Sequence, residues 1–78
     1  PEKGKSMLLV VNFKDLEKEI KIEEVLKNQK VKFSVKSKNV FKDKVDIMYE
    51  ICTKKDSEML SELQKIEGVN SMNLIKQD

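Results

Sequence analysis

Lysine and carboxylate side chains carry nearly all the chemistry available to this chain. All sixteen basic residues are lysine, set against fourteen acids, and neither histidine nor arginine occurs. The missing imidazole removes the commonest general base and the commonest ligand of a catalytic zinc. The missing guanidinium removes bidentate recognition of phosphate and carboxylate. The one thiol, Cys52, has no second cysteine for an internal disulfide, which fits a reducing compartment. With no acid–base partner in sight, it reads as a small half-buried strand residue. Asp43 and Asp46 could touch a divalent ion, yet no third ligand accompanies them. Phosphate-binding glycine loops, dinucleotide fingerprints and zinc-protease motifs are all missing. The expectation is a chain that is not an enzyme and uses neither a metal nor a cofactor.

What the charges do show is uneven placement. Residues 30–44 hold six lysines against Asp43 alone, a net +5, whereas residues 15–29 hold three lysines and five acids, and residues 56–67 one lysine and four acids. Strand alternation would set Lys30, Lys32, Lys36 and, one step further, Lys38 on one face. Such a face solubilises an edge strand, or it binds an anionic surface such as a membrane or nucleic acid. Nucleic acid is the less favoured partner. The whole chain is only +2, and Tyr49 and Phe33 share parity with core positions, which leaves no platform for stacking bases. The longest apolar run, Met7 to Val11, is far too short to span a bilayer. Membrane contact would therefore come only through a parent chain or weak electrostatics.

These residues sit on a small scaffold. At 78 residues, with 38% charged and 38% hydrophobic, the chain makes a single domain. Pro1 to Ser6 reads as a linker or flexible N-terminus, and residues 7–76 as the domain. Met7 to Phe13, apolar on both faces, predicts a central strand. Lys14 to Gln29 has helical character with Leu16, Ile20, Val25 and Leu26 as its apolar stripe, and Asp15 is placed to cap it. Ile22 falls off that stripe, which favours a start near Lys18. Glu17–Lys21 and Glu23–Lys27 are spaced as helical pairs on a solvated face. Val31, Phe33 and Val35 alternate with lysines as a second strand, followed by a connection from Ser37 to Asp43. Val45, Ile47, Tyr49 and Ile51 alternate as a third. A helix capped by Asp56 or Ser57 follows, with Met59, Leu60, Leu63 and Ile66 inward. Gly68 is placed for a left-handed turn, and Val69 to Ile75 closes the sheet. The order βαββαβ is α+β, a ferredoxin-like sandwich with a four-stranded antiparallel sheet and two helices on one face.

The second half carries a resemblance. Leu60, Leu63 and Ile66, running through Glu67-Gly68-Val69 into Asn70-Ser71-Met72-Asn73-Leu74, resemble the closing helix and strand of small regulatory domains of the ACT type. The chain is also similar to the cytoplasmic C-terminal domain of some bacterial multi-pass membrane proteins, and its Lys-, Ile- and Asn-rich usage suits an AT-rich bacterium. The resemblance implies a regulatory domain on the cytoplasmic side, a habit of pairing, and a small-molecule effector near the turn after the first strand. Asn12 and Asp15 are the polar groups there, in a turn, Asn12-Phe13-Lys14-Asp15, that lacks the family's glycine.

Parity adds an interface. If Met7, Leu9, Val11 and Phe13 face the helices, Leu8 and Val10 face away, joined by Met48. Apolar side chains at the centre of an uncovered sheet call for a covering surface. Self-association or docking to a parent protein is the expected use, two-fold pairing being the simplest form. The expected function is thus a non-catalytic regulatory or assembly domain; the alternative is a module that binds an anionic surface through Lys30, Lys32, Lys36 and Lys38.

Overall fold

Period-two alternation decides which strands lie at the centre. In the computed structural model, which describes residues 5–77, β1 (Ser6–Phe13) and β3 (Val45–Cys52) each bury every second residue. They pair antiparallel over eight positions, from Ser6 with Cys52 to Phe13 with Val45. β2 (Lys32–Val40) flanks β3, and β4 (Val69–Lys76) flanks β1, giving the order β2-β3-β1-β4 with every neighbour antiparallel. The chain is therefore the βαββαβ sandwich expected. Ser6, expected in the linker, opens β1 instead; residues 1–4 of that expected linker lie outside the described residues.

The helices cover one face only. Ile22 and Leu26 of α1 (Lys18–Asn28) and Met59 and Leu63 of α2 (Asp56–Gln64) join Met7, Leu9, Val11, Phe13, Val31, Val45, Ile47, Tyr49 and Ile51 in a single buried cluster. All the strand residues in that set share one parity. Each such side chain contributes about 1.5–3 kcal/mol when fully buried.

The apolar stripe of α1 differs from expectation. Leu16 precedes the helix and is 48% exposed, and Ile20 is 68% exposed. Ile22, read as off the stripe, is fully buried. The reason is angular: Ile22 and Leu26 are four residues apart on one face, whereas Ile20 lies about 200° round the helix from Ile22. Asp15 does not cap the helix with its side chain. Glu17 occupies the cap without a side-chain bond, and the Asp15 carbonyl accepts the Lys18 N–H at 2.9 Å. Nor do Glu17 and Glu23 form the expected pairs with Lys21 and Lys27; Glu23 instead accepts the Tyr49 hydroxyl. At the other end, Val31 N–H donates to the Leu26 carbonyl and Lys30 N–H to the Lys27 carbonyl, the two bonds of a Schellman turn. Lys30 takes its left-handed position, with φ of 60°.

α2 also lacks a side-chain cap. Asp56 and Ser57 lie inside its first turn, and Lys55 stands at the cap. Gly68 adopts φ of 98°, as expected of a residue that turns the chain back into β4, and its carbonyl accepts the Lys14 N–H at 2.9 Å. That bond ties the α2–β4 turn to the start of the β1–α1 turn.

β2 is longer than expected. The segment read as a connection from Ser37 is still strand, because the register with β3 shifts between Val35 and Ser37 and then continues to Val40 opposite Val45. Lys36 is the extra residue of a bulge. The hairpin closes where Phe41 N–H donates to the Lys44 carbonyl at 2.8 Å.

Candidate functional site

The uncovered face of the sheet is ordered in rows by the strand registers. One row runs Ile75, Leu8, Glu50, Ser34 from β4 to β2; the next runs Asn73, Val10, Met48, Ser37; a third runs Ser71, Asn12, Asp46, Asn39. Ile75, Leu8, Val10 and Met48 thus form a continuous apolar strip across the three strands β4, β1 and β3. Leu8, Val10 and Met48 are half-buried and Ile75 is 41% exposed. Sequence reasoning missed Ile75, although the alternation of Met72 and Leu74 with Asn73 and Ile75 held the signal. No aromatic ring lies on this face among the described residues.

Polar groups frame the strip and are satisfied within the domain. The Ser6 hydroxyl donates to one Glu50 oxygen at 2.7 Å, and Lys36 Nζ approaches the other at 3.5 Å. Ser6 first, and Lys36 after it, hold the Glu50 carboxyl below its ordinary range. Asn12 Nδ2 donates to Asp46 at 2.5 Å, and Asn12 Oδ1 accepts from Asn70 Nδ2 at 2.9 Å. The Asn12 amide is therefore engaged at both ends. The pairing with Asn12 also directs Asp46 to a neighbour within the sheet rather than toward Asp43 in the hairpin turn, and no group of three or more metal-binding side chains occurs among the described residues.

The structure does not bring Asn12 and Asp15 together on one surface. Asn12 stands on the uncovered face. Asp15 lies in the turn beyond it, at an open depression of about 490 Å³ lined by Lys14, Asp15, Lys18, Glu67, Gly68 and Asn70.

The four lysines do not share a face. Lys30 sits in the turn after α1, outside the strand. Lys32 lies opposite Cys52 on the uncovered side, and Lys36 occupies the bulge beside Glu50. Beyond the bulge, parity is reversed: Lys38 lies opposite buried Ile47 and reaches Glu19 of α1 at 2.8 Å. The expected stripe assumed unbroken alternation, and one inserted residue divides it.

On the covered side, Tyr49 is fully buried and its hydroxyl donates to Glu23 Oε2 at 3.3 Å. Phe33 meets the Tyr49 ring edge-on, with centroids 5.7 Å apart. Burial above all, then the charges of Glu23 and Glu19, drives the Tyr49 hydroxyl far above its ordinary value. Asp56, at the start of α2, is held low chiefly by Lys76 Nζ at 3.2 Å. No helix among the described residues is long and apolar enough to cross a membrane.

No protein-family model matches the chain, and no curated protein sequence does. Solved structures do match. The solution structure of the C-terminal domain of the MgtC protein from Mycobacterium tuberculosis superposes with a TM-score of 0.75 at 11% identity, over 95% of this chain and 88% of that one. A homoserine dehydrogenase from Thiobacillus denitrificans matches with a TM-score of 0.71 at 17% identity, over 91% of this chain but 17% of the enzyme. The scaffold is ferredoxin-like. A de novo designed protein, Ferredog-Diesel, matches with a TM-score of 0.52 at 15% identity. At these identities the likeness is one of fold, and it agrees with the ferredoxin-like order of strands and helices.

Proposed function

We propose that this domain is a non-catalytic regulatory or assembly module of a larger protein, working on the cytoplasmic side and pairing through its uncovered sheet face. The observation that carries this reading is the strip of Ile75, Leu8, Val10 and Met48 at the centre of a face that no helix covers. The likeness to a C-terminal domain in one protein and to 17% of an enzyme in another supports a role as one part of a longer chain. A second copy is the favoured cover, because a two-fold axis sets the same apolar strip against itself. An amino-acid-sized effector, implied by the ACT resemblance, would meet both signs of charge in the depression beside Asp15. It would bias pairing only by binding one state better than the other.

The test is Val10→Lys, read by sedimentation equilibrium of the 78-residue chain. Val10 is preferable to Leu8, since a carboxylate at Leu8 would stand directly opposite Glu50. The expected result is a shift to monomer with circular dichroism unchanged. An identical mass for both proteins, each folded, removes the pairing proposal.

A further inference from the structure

Large exposed hydrophobic residues gather away from the uncovered sheet face. Among the described residues, Leu16, Ile20, Val35, Val40 and Phe41 stand out, and Ile75 alone belongs to the face itself. Two of them, Val40 at 56% exposed and Phe41 at 50%, are adjacent at the tip of the β2–β3 hairpin. Because Phe13 pairs with Val45 and Val45 with Val40, the turn after β1 lies at the same end of the sheet, and it carries Leu16. We propose that this hairpin tip is a contact site for an anionic lipid bilayer, with Val40 and Phe41 entering the interface and Lys42 and Lys44 meeting the headgroup phosphates.

Charge favours that occupant. Of the six lysines in residues 30–44, Lys36 and Lys38 are paired with Glu50 and Glu19. Lys42 and Lys44 have no carboxylate partner among the described residues, and they bracket Asp43 at the tip. The β1–α1 turn adds nothing net, since Lys14 and Lys18 balance Asp15 and Glu17. Sheet extension by a second copy is disfavoured along β2, where a bulge and a row of lysines protect the edge. Base stacking is also disfavoured. Lys44 Nζ already sits 5.1 Å from the Phe41 ring centre, and Val40 offers no ring at all. An aromatic ring with an ammonium held beside it joins an apolar body to a cation in one place, a pairing that suits a membrane interface. The contact is weak and auxiliary, as expected of a short apolar tip with few cations. It is independent of pairing through the uncovered face.

The experiment is co-sedimentation of the 78-residue chain with vesicles of equimolar phosphatidylserine and phosphatidylcholine, against phosphatidylcholine alone. Binding is expected only with the anionic vesicles. Lys42→Ala with Lys44→Ala together should weaken it about 30-fold, at roughly 1 kcal/mol per lysine. Phe41→Ser should weaken it about tenfold through lost apolar burial. Since the chain has no tryptophan, Phe41→Trp reports depth directly: its emission should shift to the blue on anionic vesicles and on no others. Unshifted emission, or Phe41→Ser binding as well as the parent, overturns the insertion. Binding to a single-stranded oligonucleotide in place of vesicles, lost in the double lysine variant, overturns the choice of lipid.

Discussion

Lys30 offers a test that separates structure from charge. It holds the left-handed position of the turn that ends α1, at φ of 60°, with both Schellman hydrogen bonds formed. The hydrophobic contact of that motif is present too, since Leu26 and Val31 are both buried. An L-residue in this conformation costs about 1–2 kcal/mol, which glycine avoids. Glycine in turn loses about 0.4–1 kcal/mol through its freer unfolded chain. Lys30→Gly alone would confound the two, because it also removes a cation near a helix C-terminus, where one is worth about 0.3–1 kcal/mol. The clean comparison is Lys30→Gly against Lys30→Ala, both uncharged. Glycine should be the more stable by about 0.5–1 kcal/mol, which for a domain of this size is about 3–6 °C in Tm. Thermal and urea unfolding followed by circular dichroism would measure it. If alanine proves equal or better, Lys30 is not left-handed in solution, and the turn that aims β2 along β3 has been misread. A large loss common to both variants would instead assign Lys30 an electrostatic role.

Two further outcomes follow from the core. Ile22→Ala should cost about 2–5 kcal/mol while Ile20→Ala stays within about 0.5 kcal/mol, measured by urea unfolding; comparable losses would restore the stripe through Leu16 and Ile20. For Tyr49, the folded protein holds the hydroxyl well above its ordinary value of about 10, so the neutral form is favoured by folding. That contribution is intact below about pH 10 and is lost as pH rises beyond it, because the unfolded state releases its proton first. Tyr49→Phe should therefore flatten the alkaline fall in stability; identical alkaline profiles for the two proteins would refute the assignment.

Parity made most of this fold legible. The seven residues from Met7 could be split into two faces on sequence alone, and the same rule placed Tyr49 inside and Met48 outside, as the registers show. The closing turn was readable because Gly68 is one of only two glycines and follows an apolar stripe. Legibility failed where a local geometry departs from its period. The start of α1 near Lys18 was legible, but a stripe phased on Leu16, which precedes the helix, exchanges Ile20 and Ile22. The bulge at Lys36 has no glycine or other marker, so unbroken alternation puts Lys38 on the wrong side. Asn12 and Asp15 looked like neighbours in a turn, but the strand runs through Asn12 to Phe13 and leaves Asp15 beyond the sheet.

That inserted residue also shapes what the uncovered face can meet. With regular alternation, the lysines of β2 would have stood together there against only Asp46 and Glu50 of β3. A second copy bringing the same surplus of positive charge would be repelled, since like charges across an interface cost several kcal/mol in the general case. The bulge instead sends Lys38 across to Glu19 and turns Ser37 and Asn39 outward. What stays on the uncovered side is Lys32 and Lys36 with Asp46 and Glu50, two charges of each sign, and Lys36 already leans on Glu50. β4 contributes Ser71, Asn73 and Ile75 and no charge to this side. The face is thus neutral around an apolar centre, a combination that tolerates its own image, while Lys42 and Lys44 stand beyond β2 at the hairpin tip. Pairing and anionic contact then fall on different surfaces, and neither excludes the other.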